Sequence, residues 1–425
     1  MPAVILADLA GLSPTNAQYL VFGALMFVSL SWSWAVVRRS GRLTLPRQIL
    51  FQAALAFALI VPPLGNVVQR EHLFVAFVLP WFLGQLLEPE ARRSGEIGRA
   101  VFAAMGICLK PYFILLPIFV TLWQCWRSRS LWPCLSAGNL TIAGVGLGYV
   151  LAVKLLHPEY LEQIVPMALE VYGAYGGSAQ KVLGRFAPIP TAMIALTFLL
   201  SLWPRRGAPV PGLFWAAALA GLGSYFWQGT GFQYHLIPFF SLISVGLGWF
   251  LVTAPMRGPV LWFSAMTLAL TAFVNLAHGP YRSTVVETLQ PHLQGRKSLA
   301  VLTSYVHAGP PVALALDARW SSGYSTLWLV PGVVNGLGET DCTALPERCA
   351  QLRQIADRQR ADVIRDLERG KPEVIIVDKM SGYFRTPNFD WLAFMGQDPR
   401  FGPILRGYRL VERLDRFDIW QRSEP

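Results

Sequence analysis

Long apolar runs separated by short polar segments fill the first two thirds of the chain. A run of roughly 17 to 25 apolar residues can cross a bilayer as a helix. The runs that reach or approach this length are Ala17 to Val37, Ile49 to Val67, Leu73 to Leu87, Leu135 to Leu156, Pro190 to Trp203, Leu213 to Gln228, His235 to Val252 and Val260 to Leu276. They predict a polytopic α-helical membrane domain with about eight transmembrane helices over residues 1–279.

A further apolar region, Ala100 to Trp126, is interrupted at its centre by Lys110 and Pro111. A proline inside a helix removes a backbone hydrogen bond, and a lysine at membrane depth needs a carbonyl, an anion or water as its partner. We therefore predict a broken segment here, either two half-helices or a re-entrant hairpin.

The long apolar runs stop near Tyr281, and shorter runs with strand-like and helix-like periods follow. The predicted elements are strands over Leu299 to Thr303, Val312 to Leu316 and Val374 to Val377, a helix over Glu347 to Arg369, and a hairpin over Tyr408 to Leu414 and Arg416 to Gln421. A segment of roughly 140 residues is within the usual domain range. The sequence thus predicts a C-terminal α/β domain over residues 280–425.

Composition also indicates a membrane protein. Hydrophobic residues make up 53% and charged residues 14% of the chain, and the mean hydropathy is +0.41. This leaves too little polar surface for a wholly soluble protein. A net charge of +11 would suggest a nucleic-acid partner in a soluble protein, but here arginines cluster beside apolar runs. We therefore expect a lipid bilayer, and no nucleic acid, as partner.

The arginine clusters predict the orientation, because Lys and Arg concentrate in short cytoplasmic loops. The clustered residues are Arg38, Arg39, Arg42, Arg47, Arg92, Arg93, Arg99, Arg127, Arg129, Arg205, Arg206 and Arg257. If these are cytoplasmic, Ala100 to Trp126 enters and leaves on the cytoplasmic side. Residues 69–72, the loop from His157 to Ala187, residues 229–235 and everything after His278 then lie on the extracytoplasmic face.

Ionisable residues of unusual type collect on that predicted outer face. Arg70, Glu71 and His72 stand between two apolar runs, where ionisable side chains mark either a functional site or a partnered structural pair. The alternative is a short loop at the membrane surface. Their placement on one side with Lys110 and His235 favours a site over scattered structural pairs.

The loop after His157 is rich in tyrosine, with Tyr160, Tyr172 and Tyr175. Apolar residues recur at helical spacing between residues 159 and 172, which predicts an amphipathic helix on the membrane surface. The pattern leaves two functions open for this loop. It is either a plain interfacial helix, or a lid or acceptor groove whose aromatic rings stack on sugars.

Two cysteines, Cys342 and Cys349, lie in the C-terminal domain with six residues between them. In an oxidising compartment such a pair is predicted to form a disulfide, and the alternative is two unrelated thiols.

Motifs for nucleotides and metals are missing from the sequence. It contains no Walker loop, no dinucleotide-binding glycine fingerprint and no zinc-type spacing of cysteine and histidine. This argues against a nucleotide-driven pump and against a metal hydrolase. We predict no metal site, and the sequence leaves the cofactor open.

Several short motifs carry a family resemblance. They are Gln69-Arg70-Glu71-His72, Lys110-Pro111-Tyr112-Phe113, Tyr234-His235 with Pro238, Ala318-Arg319-Trp320 and Leu327-Trp328-Leu329-Val330-Pro331. With them the chain resembles, over most of its length, a group of bacterial polytopic membrane proteins similar to the GT-C class of glycosyltransferases. These motifs are diagnostic of the group more than of a demonstrated reaction. The resemblance implies transfer of a sugar from a polyprenyl-phosphate carrier to an envelope glycan or lipid acceptor, at the extracytoplasmic face of the bacterial inner membrane.

The candidate residues fit that chemistry in separate roles. Attack of an acceptor hydroxyl on the anomeric carbon needs a general base, for which we predict Glu71, with His235 as a second catalytic residue. The alternative role of Glu71 is that of an ion-pair partner that orients Arg70. Arg grips a phosphate in bidentate fashion and Lys acts as a point charge. The predicted ligands of the donor phosphate are Arg70, His72, Lys110 and Tyr234. The predicted contacts of the acceptor or sugar are Tyr112, Arg319 and Trp320.

One departure from the GT-C pattern concerns the start of the chain. Members of the class usually begin with a helix and an outward loop that carries a catalytic acid, whereas here only Asp8 is acidic before the first apolar run. The sequence thus predicts a truncated N-terminus, a second acid that pairs with Glu71, or an inactive protein. The rival functions are a non-catalytic transporter or assembly subunit for lipid-linked sugars, and an envelope polysaccharide ligase or polymerase.

Overall fold

The computed structural model describes residues 2–88, 93–172, 175–176, 178–184, 188–201, 212–254, 258–279, 283–380, 382–385 and 389–423. Of the residues used above to predict orientation and boundaries, Arg92, Ala187, Trp203, Arg205, Arg206, Arg257 and Tyr281 lie outside these ranges. The chain divides into two units. The helical unit comprises Met1–Leu156 and Gly177–Tyr281, and the α/β unit comprises His157–Gly176 and Arg282–Pro425.

Helices coincide with all the predicted apolar runs in the helical unit. Numbered in chain order, they are α1 (Pro2–Ala10), α2 (Pro14–Arg39), α3 (Leu45–Ile60), α4 (Arg70–Leu87), α5 (Arg93–Ile107), α6 (Leu115–Ser128), α7 (Ala137–Leu156), α9 (Ala179–Leu183), α10 (Pro188–Ser201), α11 (Gly212–Gln228), α12 (Ile237–Thr253) and α13 (Pro259–His278).

Four helices of the described part of the chain are long and apolar enough to cross a membrane. They are α2, α7, α13 and the continuous helical segment Gln233–Thr253, which contains α12. Among the described residues, length and composition thus support four of the about eight predicted spans. A spanning helix needs about 20 residues, whereas α3, α10 and α11 have 16, 14 and 17.

The exposed surface of α7 is apolar. Only Gly138 and Ile142 of this helix are buried among its described residues, while Leu147 and Leu156 are each 72% exposed. A helix that presents apolar side chains on most of its circumference is stable in lipid and not in water. Its surface therefore fits a membrane environment.

The broken segment is present where the proline predicts it. Helix α5 ends at Ile107, and a short 3₁₀ turn over Pro111–Ile114 precedes α6. The two arms have different neighbours, since α5 packs against α4 and α7 whereas α6 packs against α11.

The α/β unit is built on a five-stranded sheet with the order β2-β1-β3-β5-β4. The strands are β1 (Ser298–Leu302), β2 (Arg319–Trp320), β3 (Val374–Asp378), β4 (Tyr408–Arg413) and β5 (Phe417–Arg422). Strands β2, β1 and β3 are parallel, and β5 runs antiparallel to both β3 and β4. The helices are α8 (Val165–Tyr172), α14 (Thr284–Leu289), α15 (Pro310–Ala315), α16 (Leu329–Glu339), α17 (Pro346–Gly370), α18 (Trp391–Gly396) and α19 (Phe401–Arg406).

Most predicted elements of this unit are confirmed, but the strand predicted over Val312 to Leu316 is wrong. These residues belong mainly to α15, which begins with Pro310 and Pro311 in its first turn. Proline suits the first helical turn, where no backbone donor is needed, and it cannot donate to a strand ladder. The two prolines therefore favour a helix here, and their effect outweighs the strand preference of Val312 and the apolar residues after it.

The tyrosine-rich loop after His157 forms the predicted helix, as a π-helical turn over Tyr160–Ile164 followed by α8. It packs within the α/β unit, where the buried side chain of Val171 contacts Gly332 of α16. Gly173, Gly177 and Ala187 of this loop lie outside the described residues. In the same unit, Cys342 and Cys349 are joined by a disulfide.

Candidate functional site

The carboxylate of Glu71 is buried at the start of α4. Gln69 caps the helix, so Arg70, Glu71 and His72 form its first turn and not a loop between two helices. The amino end of a helix favours negative charge. Glu71 is nevertheless only 1% exposed, and a buried carboxylate needs charged or hydrogen-bonding partners.

Lys110 supplies the first partner because the chain breaks in front of Pro111. Proline disfavours helical backbone in the residue before it, and Lys110 adopts the extended conformation with φ −152° and ψ 141°. Its Nζ lies 2.5 Å from Glu71 Oε1. The same ammonium also donates to Gln228 Oε1 at the end of α11, over 3.1 Å.

The turn between α11 and α12 brings in a histidine. Gly229 and Gly231 both have φ near +65°, at +61° and +69°, a conformation that glycine adopts without strain. Between them, Thr230 is buried, and its Oγ1 lies 3.1 Å from Nδ1 of His235. The other ring nitrogen, Nε2, is 3.4 Å from Lys110 Nζ and 3.6 Å from Glu71 Oε1.

The hydrogen bonds assign the protons of this acid–base cluster, which we define as Glu71, Lys110, Gln228, Thr230 and His235. An ammonium has three donors and no acceptor, so Lys110 donates to Glu71, Gln228 and His235 Nε2. Because Nε2 then accepts, Nδ1 of a neutral imidazole carries the proton and donates to Thr230.

One carboxylate oxygen of Glu71 has no hydrogen-bond donor among the described residues. Oε1 accepts from Lys110, while Oε2 is buried and has no hydrogen-bond partner in the described part of the chain. Buried polar atoms in proteins are almost always paired, and an exception calls for a chemical reason. A buried carboxylate oxygen that faces no donor is well suited to accept a proton from a substrate.

Aromatic rings and one cation border the cluster. The ring of Tyr234 lies 5.5 Å from Lys110 Nζ, in a cation–π arrangement, and packs against His235 with centroids 4.3 Å apart. Tyr112 contacts the exposed ring of Trp227 at 5.7 Å. Arg70 is exposed and is therefore placed to meet a charged group from solvent or from a headgroup region.

His72 lies apart from the cluster, contrary to its predicted role as a phosphate ligand. Its Nε2 donates to the carbonyl of Leu59 over 2.6 Å, and its Nδ1 accepts from the N–H of Val68 over 3.3 Å. Val68 has φ +67°, which is strained for a β-branched residue. His72 thus ties the end of α3 and the strained turn to α4.

Arg319 and Trp320 belong to the α/β unit, in strand β2. The guanidinium of Arg319 donates to the carbonyl of Gly370 over 2.7 Å, and Trp320 Nε1 donates to the carbonyl of Tyr324 over 3.1 Å. Both side chains therefore have structural roles within that unit. Their predicted contact with acceptor or sugar stays a prediction.

Two members of the cluster, Gln228 and Thr230, are not among the site residues predicted from the sequence. Gln228 stands at the end of an apolar run, where a glutamine is ordinary. Thr230 carries a local signal, because glycines on both sides of a buried threonine next to a Tyr-His pair mark a tight turn. Within the described residues, no group of three or more His, Cys, Asp or Glu side chains is placed to hold a metal ion.

Comparison of the chain with protein-family models, with curated proteins and with solved structures finds no match.

Proposed function

We propose that this protein is a membrane glycosyltransferase that moves a sugar from a polyprenyl-phosphate carrier to a cell-envelope glycan or lipid. The reaction takes place at the extracytoplasmic face of a bacterial inner membrane, in a GT-C-like domain of about eight spans. The observation that carries the proposal is the buried Glu71, whose Oε1 accepts from Lys110 while Oε2 is unpaired among the described residues.

Glu71 acts as the general base. Its free oxygen takes the proton of an acceptor hydroxyl as the hydroxyl oxygen attacks the anomeric carbon, and the bond from that carbon to the phosphate oxygen breaks. The products are the glycosylated acceptor and the polyprenyl phosphate, to which the proton on Glu71 is finally passed. A positioned base contributes roughly 10²- to 10⁴-fold to such a reaction.

Lys110 and Arg70 stabilise the leaving phosphate. The negative charge on that group grows as the sugar leaves, and a cation held in a water-poor site stabilises developing charge most strongly. Lys110 is held in place by three partners, and Arg70 is the exposed cation of the same helix start. The neutral imidazole of His235 accepts from Lys110 and so orients the ammonium, over which the ring of Tyr234 lies.

One observation favours the rival class, a transporter or assembly subunit for lipid-linked sugars. All three hydrogens of the Lys110 ammonium already have acceptors within the cluster. The Glu71–Lys110 pair could therefore serve as a structural ion pair or as a proton relay without binding a phosphate. A polysaccharide ligase or polymerase would use the same residues with a diphosphate-linked donor. A glycosyltransferase forms a glycosidic bond, whereas a transporter or assembly subunit does not.

Transfer by purified protein in lipid nanodiscs tests the proposal. Polyprenyl-phosphate sugars with a radiolabelled sugar are supplied together with envelope extract as acceptor, and label in the acceptor is measured. We expect Glu71→Gln to lower transfer about 100-fold or more. The control Glu162→Gln, which changes an exposed carboxylate of the π-helical turn over Tyr160–Ile164, should keep the wild-type rate. Transfer that is unchanged in Glu71→Gln would refute the assigned base.

A further inference from the structure

The connections that follow β1 and β3 diverge at the carboxyl ends of these two strands. These strands are parallel neighbours, yet the chain leaves them toward opposite faces. After β1 it enters α15, whose Val312 packs on one face, and after β3 it enters α18, whose Trp391 and Met395 pack on the other. In open α/β sheets, ligands bind at the carboxyl edge where neighbouring strands diverge in this way.

A buried polar group lies at this edge of the sheet. Asp378 ends β3 and is 2% exposed. Its carboxylate accepts from Thr303 Oγ1 over 2.7 Å, and from Arg416 Nε and Nη2 over 3.0 and 2.9 Å. The guanidinium of Arg416 lies over the ring of Tyr305, 4.6 Å from its centroid.

Aromatic side chains from separate segments of the α/β unit contact one another, and one of them, Tyr305, lies against Arg416. We define the aromatic edge as Tyr172, Tyr175, Tyr305, Trp328 and Tyr383. Tyr175 contacts Tyr383 with ring centroids 5.3 Å apart, and Tyr172 contacts Trp328 at 5.7 Å. The hydroxyl of Tyr175 donates to the carbonyl of Trp328, and Tyr172 remains 54% exposed.

The segment that carries Tyr172 and Tyr175 is fixed to the α/β unit by close packing. Val171 is fully buried, and a Cβ added at Gly332 would lie 2.6 Å from the Cβ of Val171. Ion pairing of Glu170 with Arg348 and a hydrogen bond from Arg358 to Gln163 add polar contacts. The two tyrosines are therefore held at the aromatic edge by a dedicated helix.

Charges around the aromatic edge are compensated. Arg416 pairs with Asp378, and Lys379 pairs with Asp418. The third pair joins Arg385, two residues after Tyr383, to Glu339. A phosphate or another anion would find no unpaired cation among these groups, so the edge fits a neutral ligand with both flat apolar faces and polar rims.

We propose that the aromatic edge binds a neutral oligosaccharide. The C–H faces of sugar rings pack on aromatic rings, and sugar hydroxyls pair with tyrosine hydroxyls, which give amphipathic contact at low entropic cost. Burial and the neighbouring Tyr305 raise the pKa of the Tyr383 hydroxyl, so it remains a neutral donor. Because binding needs no chemistry at Glu71, the proposal does not rest on the transfer reaction.

A membrane interface is the main competing occupant, because Tyr and Trp also collect at the headgroup level of bilayers. Such belts normally come with basic residues directed at lipid phosphates. The three cations near the aromatic edge are instead paired with carboxylates. This difference favours the oligosaccharide.

Hydroxyl-radical footprinting of the full chain separates the two occupants. The protein is compared in detergent micelles and in lipid nanodiscs, with and without linear tetra- to hexasaccharides of glucose, mannose, galactose or N-acetylglucosamine. We expect at least one oligosaccharide to protect Tyr172, Tyr305 and Tyr383 in both environments. Tyr160, on the same segment and similarly exposed at 50%, should keep its oxidation rate.

Two variants provide the affinity test. Tyr172→Ala should weaken binding of the protecting oligosaccharide about tenfold, as truncation of a central aromatic contact does, whereas Tyr160→Ala should bind as the wild type does. Protection that comes from the nanodisc alone, absence of protection by every oligosaccharide of the set, or equal weakening by both variants would overturn the proposal.

Discussion

The ammonium of Lys110 lies 2.5 Å from Glu71 Oε1, although 39 residues separate the two in the chain. Glu71 is 1% exposed and the Lys110 side chain 14%, so the pair is largely removed from water. Removing one partner of a buried ion pair leaves an uncompensated charge and costs about 3 to 5 kcal/mol, whereas replacing both partners is often neutral. Single and double replacements of Glu71 and Lys110 can therefore distinguish the contribution of the pair to stability from its contribution to catalysis.

Thr230 is expected to act as a positioning residue through His235. Thr230→Val keeps the shape of the side chain but removes the oxygen that lies 3.1 Å from His235 Nδ1. A lost hydrogen bond to a buried group costs on the order of 1 to 3 kcal/mol, so transfer should fall about tenfold. The rate of sugar transfer in nanodiscs measures this effect.

The conservative variant Thr230→Ser is the control for that experiment. It keeps the hydroxyl and should restore most of the wild-type rate. If serine and valine lower transfer equally, the methyl packing of Thr230 matters and its bond to His235 does not.

His72 is expected to stabilise the protein without acting in transfer. His72→Phe leaves the Leu59 carbonyl and the Val68 N–H without their partner. It should cost about 2 to 6 kcal/mol, because each of the two unpaired groups costs on the order of 1 to 3 kcal/mol, and the melting temperature in detergent should drop. Transfer per folded molecule should be unchanged. A stable His72→Phe protein that loses transfer as Glu71→Gln does would instead place His72 among the substrate ligands.

The contact between Gly332 and Val171 is expected to hold α8 on the α/β unit. Gly332→Ala would bring a methyl group within 2.6 Å of Val171 Cβ and 2.8 Å of its carbonyl oxygen. The backbone there cannot easily give way, so α8 should detach and limited proteolysis should cleave between residues 157 and 176.

Gly338→Ala on the same helix is the matched control. A Cβ at Gly338 meets no atom within 4 Å, and alanine in a helix is favoured over glycine by about 1 kcal/mol. This variant should be as resistant to protease as the wild type, or more so. Equal cleavage of both variants would show that α8 is not held by this contact.

Much of the helical unit follows from the sequence, because long apolar runs and the Lys110-Pro111 break act locally. The sequence also predicts in part that Glu71, Lys110 and His235 lie close together, because ionisable side chains next to apolar runs need partners of this kind. The position of His72 outside this cluster could not be predicted from the sequence. Successive residues of a helix point about 100° apart, so Glu71 and His72 face different neighbours although they are adjacent in the chain.

The remaining differences come from long-range packing and from backbone chemistry. Helix α8 is amphipathic, and periodicity alone does not distinguish a membrane surface from the protein surface formed by α16 and α17. The strand predicted at Val312 is wrong because the two preceding prolines favour the first turn of a helix, whatever the strand preference of the valine that follows. Strand β2, with two residues, is too short for any periodic signal.

The most direct test of the central claim is a double-mutant cycle with Glu71→Gln, Lys110→Met and both together, in which thermal stability and sugar transfer are measured on the same nanodisc samples. Each single variant should lose about 3 to 5 kcal/mol of stability, and the double variant should recover most of that loss. If Glu71 is the base, transfer should stay at least about 100-fold below wild type in the double variant. A double variant that regains transfer together with stability would contradict this account and leave the pair with a structural role alone.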